Sequence, residues 1–319
     1  MVMKAESFPA VLFGSASHKI HTPLLCLLDA ADTRVDIDRM PDGELQVRIA
    51  SSVRGRRVYV VQTLGRPVGE RLLELGLLAD AARRAGAFSV TAVVPYLGYA
   101  RQDRRGGEGE PLGGALVARL LSACAIDRVV TVDLHTAALE GFFGVPVEHL
   151  TAEPLLARTL EPLVGTDSVV VSPDLGAVKL ARRYAQRLEL PLAVVHKTRS
   201  GPSEVAAERL VGEVRGLRPV IVDDMISTGG TIAAARGAVL AAGARPDILV
   251  AATHGVFAPG WRSVLGHPDI HHILVTDSLE SPDETDDPRL GRVPLAPLLA
   301  DAIRLLHADA PLADLLART

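Results

Sequence analysis

Aromatic residues make up only 3% of this 319-residue chain: six Phe, four Tyr and one Trp. Its cores must therefore be built from Leu, Val, Ile and Ala, which an apolar content of 48% supplies. Cysteine is rarer still, with Cys26 and Cys124 alone. Both have apolar neighbours in sequence and are expected to pack as small hydrophobes. No Cys/His cluster has zinc spacing, so neither a structural disulfide nor a zinc site is expected. An excess of positive charge is also missing. The formal net charge is -4, from 34 Lys and Arg against 38 Asp and Glu. That argues against a general nucleic-acid or membrane-surface binder, so basic residues must act locally. No apolar run is long enough to cross a bilayer, and the N-terminus lacks a basic region followed by an apolar signal segment. A cytoplasmic location is expected.

What is present is alternation. Short β-branched runs, Val58–Val61, Ser89–Val94, Val129–Val132, Val169–Val171 and Leu192–Val195, are separated by helix-like stretches such as Gly69–Ala85. This spacing predicts βαβ units, hence parallel sheets covered by helices. Ala85-Gly-Ala87 closes one helix ahead of a strand, and Ala242-Gly-Ala244 repeats the pattern. The two lie 157 residues apart, about one domain length. Two related α/β domains are expected, 1–150 and 151–319, with a helix from about Pro297 to His307 near the end.

The most informative stretch is Val220-Ile-Val-Asp-Asp-Met-Ile-Ser-Thr-Gly-Gly-Thr231. An apolar run reads as a buried parallel strand. Asp223 and Asp224 follow at its carboxyl end, then a small-residue turn from Ser227 through Thr228, Gly229 and Gly230 to Thr231, and then a helix from Ile232. Such a turn points N–H groups into one concavity at the positive end of a helix, which suits a phosphate. The paired carboxylates suit vicinal sugar hydroxyls or magnesium. A ribose 5-phosphate offers both handles. The bland alternative is a strand–turn–helix connection whose aspartates cap the helix.

Other polar groups fall at predicted strand ends. Arg101, Gln102 and Arg104 follow the strand ending at Val94, either as a solvated loop or as a polyphosphate site. His135 follows Val132, and Asp174 follows Val171. Each is read as a hydrogen-bonded structural residue or as a ligand. Asp42-Gly43-Glu44 reads as a turn. Lys197-Thr-Arg199 is by itself an ordinary surface pattern.

These motifs, in this order, resemble the ribose-phosphate diphosphokinase (PRPP synthetase) family, built on the type I phosphoribosyltransferase fold. The resemblance runs from about Val11 to Leu306. It implies two tandem phosphoribosyltransferase-like domains, with ATP on the N-terminal side and ribose 5-phosphate on the C-terminal side. It implies diphosphoryl transfer from ATP to C1 of ribose 5-phosphate, giving PRPP and AMP. Carried onto this chain, it assigns Lys197 and Arg199 to catalysis; the 26-residue spacing from Lys197 to Asp223 agrees with the family. Arg101 and Gln102 bind ATP, with Asp42, Gly43 and Glu44 reaching adenine from a neighbouring subunit. Arg199, Asp223, Asp224 and Ser227 to Thr231 bind ribose 5-phosphate, and His135 and Asp174 hold Mg2+. It also implies a homo-oligomer, dimer-based and up to a hexamer, without nucleic-acid or membrane partners.

Some positions depart from the family. Met40 stands where an aromatic usually stacks on adenine, Ser227 replaces an Asp, and Leu175 replaces a His common in the family. Gly107, Glu108 and Gly109 occupy places that hold basic residues and a Ser in many members, part of an allosteric phosphate/ADP site. The segment Pro311 to Thr319 lacks the family's serine-containing tail. Two alternatives stay open. One is a PRPP-consuming phosphoribosyltransferase, which would normally lack the Arg101–Arg104 and Lys197–Arg199 elements. The other is a non-catalytic synthetase-associated subunit.

Overall fold

A computed structural model of the protein describes residues 9–30, 32–198, 207–280 and 287–317, with the backbone alone at 197, 198, 207 and 208. The chain divides into two units, residues 1–151 with 278–280 and 294–319, and residues 152–277 with 281–293.

The first unit contains β1 (Ala10–Phe13), α1 (His18–Leu28), β2 (Val35–Arg39), β3 (Leu45–Ile49), β4 (Arg57–Val61), α2 (Val68–Arg84), β5 (Ser89–Val94), α3 (Gly113–Ala123), β6 (Arg128–Val132) and β7 (Val147–Leu150). Five strands form one parallel sheet in the order β1-β4-β5-β6-β7, while β2 and β3 make a separate antiparallel hairpin. Val58, Val60, Val90, Val94 and Val129 are fully buried. This is what β-branched runs covered on both faces should give.

The second unit contains α4 (Glu153–Leu160), β8 (Ser168–Ser172), α5 (Val178–Leu188), β9 (Leu192–Thr198), β10 (Ala207–Val211), β11 (Arg218–Ile226), α6 (Gly230–Ala241), β12 (Ile248–Gly255), α7 (Trp261–Leu265), β13 (Ile270–Thr276) and β14 (Leu290–Val293). Its sheet runs β10-β9-β8-β11-β12-β13-β14, parallel except for the β9–β10 pair.

The internal echo extends to individual backbone hydrogen bonds. Gly86 N donates to Arg83 O at 3.0 Å and Ala87 N to Ala82 O at 3.1 Å, closing α2. Gly243 N donates to Leu240 O at 2.9 Å and Ala244 N to Val239 O at 3.0 Å, closing α6 in the same way. Both glycines sit at positive φ, 87° and 88°, the left-handed geometry that ends a helix without a Cβ clash. Gly55 N then bonds Gly86 O, and Gly216 N bonds Gly243 O, each at 2.8 Å. Counted from Gly55 and Gly216, which lie 161 residues apart, Gln62 and Thr63 of the first unit correspond to Asp223 and Asp224 of the second. Even the strand order corresponds. In the second unit β9 lies outside β8, and in the first a single parallel bridge, Val11 to Asp32, takes that place outside β1.

A second domain running unbroken from 151 to 319 does not describe this partition. The final helix α8 (Ala296–His307) belongs to the first unit and packs on α1. Its buried Leu299, Ala302 and Ile303 need an apolar partner, and α1 offers Ile20, Leu24 and Leu28. Arg57 fixes the helix end, donating to Leu306 O at 3.1 Å and pairing with Asp309 at 2.7 Å. Cys26 also departs from expectation: it is exposed. The buried stripe 20–24–28 puts it on the opposite side of α1. Cys124 is half-buried, and burial raises its thiol pKa, helped by the charge of Asp80.

Candidate active site

In the second unit the strand order reverses between β8 and β11, since β8 leads outward to β9 while β11 to β14 follow on the other side. In open α/β sheets a crevice opens at the carboxyl ends of such a strand pair. Asp174 follows β8 there, and Asp223 to Thr231 lie at the end of β11. The predicted ribose-phosphate residues from Asp223 to Thr231 and one predicted metal ligand, Asp174, thus share a single sheet edge.

The strand is longer than its apolar run. β11 continues through Asp223 and Asp224 to Ile226, because β12 keeps pairing with it at Met225–His254 and Ile226–Gly255. Asp224 N donates to Asp223 Oδ1 at 2.9 Å. The Asp223 carboxyl titrates well above the usual carboxylate range. Burial is the main cause, followed by the charges of Asp224 and Asp174, against the lowering effect of the Asp224 N–H. Three carboxylates crowd this edge, so hydroxyl donors or a cation would relieve it. Asp174 Oδ1 accepts from Gly176 N at 2.8 Å and Ala177 N at 3.1 Å, which shapes the turn into α5. The turn role therefore occupies one of its oxygens.

α6 begins at Gly230, two residues earlier than the sequence pattern suggested. Gly229 stands before it at φ 85°, and no side chain caps the helix. The first-turn N–H groups lack helical partners by geometry, so this end presents donors and the positive pole of a 12-residue helix. Ala258 N donates to Ser227 O and Phe257 N to Ile226 O, both at 3.0 Å, fixing the turn from the side. A Cβ at Gly229 would come within 2.7 Å of Leu265 Cγ, so the close approach needs glycine.

Lys197 lies on β9, in backbone register with Glu208 of β10. Arg199 lies outside the described residues.

In the first unit Arg101 and Gln102 line a cavity of about 380 Å³ with Arg104, Gly106, Glu110 and Pro111. Tyr99, in the left-handed region at φ 65°, reverses the chain. Gln102 N then donates to Tyr99 O at 2.9 Å, and Gly114 N to Gln102 O at 3.1 Å. Asp42, Gly43 and Glu44 form the β2–β3 turn, as the residue types suggested. Met40 N bonds Glu44 O at 2.9 Å, Gly43 has φ 94°, and Glu44 N bonds Asp42 Oδ1 at 3.1 Å. All three are exposed and none is among the described residues lining the cavity. An ion pair between Arg39 and Glu70 ties the hairpin to α2.

His135 is exposed just beyond β6. Its approach is held by a residue the sequence reading missed. The buried His149 of β7 accepts the Leu134 N–H at Nε2, at 2.8 Å. Its Nδ1 must then carry the proton, and Glu140 Oε1 receives it at 2.8 Å. Asp133, at φ 37°, bonds Leu150 O at 2.9 Å. Nothing in residue spacing signals this pair, which becomes visible once β7 lies beside β6. His135 and Asp174 fall in different units, and among the described residues no group of three or more His, Cys, Asp or Glu is arranged to hold a metal ion.

The second unit, with its Asp-Asp strand end and glycine turn at the switch point, is of the phosphoribosyltransferase class: residues 151–255 match the family model described as phosphoribosyl transferase domain. Residues 10–124 match the N-terminal domain of ribose phosphate pyrophosphokinase. A ribose-phosphate pyrophosphokinase of Caldanaerobacter subterraneus is 40% identical over 85% of this chain and 86% of its own length. One from Bradyrhizobium diazoefficiens is 36% identical over 98% and 96%. The crystal structure of phosphoribosylpyrophosphate synthetase from Mycobacterium smegmatis superposes with a TM-score of 0.88 at 37% identity, covering 95% of this chain and 100% of that one. The chain belongs to the ribose-phosphate pyrophosphokinase family.

Proposed function

We propose that this chain transfers the diphosphoryl group of ATP to the C1 hydroxyl of ribose 5-phosphate, releasing PRPP and AMP. The observation that carries the reading is the juxtaposition, at one sheet edge, of the Asp223–Asp224 pair and the uncapped start of α6. Ribose hydroxyls donate to the carboxylates and the 5-phosphate accepts from the N–H groups of residues 227–231, with the hydroxyls of Ser227, Thr228 and Thr231 as further donors. Ser227 in place of the family's Asp removes a negative charge from this cradle.

Arg101 and Gln102 hold the nucleotide, the guanidinium fork matching phosphate oxygens. Asp42, Gly43 and Glu44 reach the adenine of a neighbouring subunit's ATP in a dimer-based homo-oligomer, and Met40 packs on the ring without π stacking. The C1 oxygen attacks the β-phosphorus, the bond from that phosphorus to the α-phosphate bridging oxygen breaks, and AMP leaves with that oxygen. The family resemblance gives Lys197 and Arg199 the role of neutralising the transferring phosphates, where charge develops in a loose transition state. Mg2+ fits the donor chemistry, since it takes few protein ligands besides phosphate oxygens and water. His135 and the Asp174 oxygen not engaged in the turn would supply them, and the ion would neutralise phosphate charge. A cytoplasmic location agrees with the composition, and no described helix is long and apolar enough to cross a membrane.

The test is AMP release from ATP and ribose 5-phosphate with no nucleobase present. A PRPP-consuming transferase would need the base, and a non-catalytic subunit would release nothing. In the same assay Lys197→Ala should lower turnover by at least about a hundredfold, the scale of one preorganised charge contact, with much smaller changes in KM. Near-normal turnover would remove Lys197 from this role.

A further inference from the structure

We propose that Glu110 is a positioning residue for the nucleotide: an internal anion that folds the 104–111 loop into a wall of the first unit's cavity and keeps free phosphate out of it. The loop reads Arg104-Arg-Gly-Gly-Glu-Gly-Glu-Pro111. Three glycines give it high backbone entropy, so a fixed shape needs a specific tie. Gly109, at φ 79°, turns the chain back on itself. Glu110 Oε2 then accepts two consecutive N–H groups, Gly106 at 2.7 Å and Gly107 at 3.2 Å. Consecutive N–H groups converging on one oxygen form an anion-binding concavity, here filled by the chain's own carboxylate. A Cβ at Gly106 would stand 2.9 Å from Glu110 Oε2, so glycine lets the carboxylate come close. Pro111 restricts the backbone immediately after.

The same cavity is lined by Arg101, Gln102 and Arg104. Two arginines lining the same cavity as a vacated pair of N–H donors would make a general phosphate site. With Glu110 in place the donors are used and its charge repels a second oxyanion, while the arginines stay directed at a ligand that brings more contacts than phosphate alone. This inference rests on reading the cavity as the nucleotide site.

Chemical rescue tests it. Glu110→Ala should raise the KM for ATP about three- to tenfold, the scale of losing a charge-assisted tie on an exposed loop, with kcat within about twofold of wild type. Millimolar acetate, the nearest mimic of the lost carboxylate, should refill the vacated N–H pair and lower KM in this variant, whereas inorganic phosphate should compete with ATP in the variant, and neither anion should do so in the wild type. Glu110→Gln keeps an acceptor in place, so it should show a smaller rise and no rescue. Thermal melting should show both variants folded, since the loop lies outside the core. An unchanged KM in Glu110→Ala, or a raised KM that acetate does not lower, would overturn the assignment. A wild-type chain that releases no AMP would instead overturn the nucleotide reading beneath it.

Discussion

Leu134 and His149 are joined by a hydrogen bond from a backbone N–H to a buried imidazole Nε2, at 2.8 Å. The bond fixes the ring's tautomer, because an accepting Nε2 leaves the proton on Nδ1, directed at Glu140. It also fixes the residue after Leu134, which is His135.

His149→Ala should therefore act on both stability and chemistry. It leaves a buried N–H without its acceptor, at a cost of about 1–3 kcal/mol. With this tie gone, the backbone at Leu134 is held less firmly and His135 with it, so the Mg2+ concentration for half-maximal activity should rise. His149→Asn, which can still present an oxygen, should recover part of both effects. Chemical denaturation and a Mg2+ titration measure them separately. Loss of stability with an unchanged Mg2+ requirement would confine His149 to a scaffolding role.

Asp223 gives a pH prediction. Its folded-state pKa is raised by burial and by the charges of Asp224 and Asp174. The folded chain thus holds a proton that the unfolded chain loses near pH 4. Its contribution to stability is fully present below that pH and falls as pH rises through the raised value. Asp223→Asn keeps the shape and cannot ionise. In the ligand-free protein it should flatten this decline and raise Tm near neutral pH relative to wild type. The same substitution should cost about ten- to a hundredfold in kcat/KM for ribose 5-phosphate, as one charge-assisted hydrogen bond is lost. A lower Tm at every pH would contradict the assigned cause of the shift.

Much of this was legible in the sequence where local chemistry dominates. β-Branched runs gave the buried strands, and Gly86 and Gly243 marked helix ends because only a left-handed residue ends them that way. The end of a buried strand at Asp223 and Asp224 and the small-residue turn into a helix were marked by residue types alone. What depended on distant partners stayed hidden. β11 outlasts its apolar run because β12 goes on supplying hydrogen bonds, and two aspartates with low strand propensity are carried along. α8 joins the first unit because of an apolar stripe on α1, not because of anything near it in sequence. Cys26 looked buried from its neighbours, yet the helical period turns it outward.

Gly229→Ala tests the turn ahead of α6. The position has φ 85°, costly for any residue with a Cβ, and the added carbon would press on Leu265. A loss of about 1–3 kcal/mol in stability is expected from backbone strain. The KM for ribose 5-phosphate should rise with it, since the displaced turn no longer aims its N–H groups together. Gly237→Ala, inside α6 with open space around it, is the control and should be neutral to slightly stabilising. Equal effects at both positions would detach the turn geometry from phosphate binding.

The last prediction concerns ADP and phosphate. An anion site apart from the first unit's cavity needs clustered donors to replace the hydration of a diphosphate. The exposed 104–111 loop offers Arg105, but Glu108 and Glu110 add repulsion, and two of the loop's N–H groups are already taken by Glu110. The field left for a second nucleotide is weak, whereas Arg101, Gln102 and Arg104 remain directed at the cavity. ADP should therefore inhibit by competing with ATP, raising its apparent KM while leaving kcat unchanged, and phosphate should be dispensable for activity. Initial rates over an ATP series at several fixed ADP concentrations, with and without phosphate, decide it. ADP inhibition that persists at saturating ATP, with activity that vanishes without phosphate, would require a separate anion site built from residues other than these.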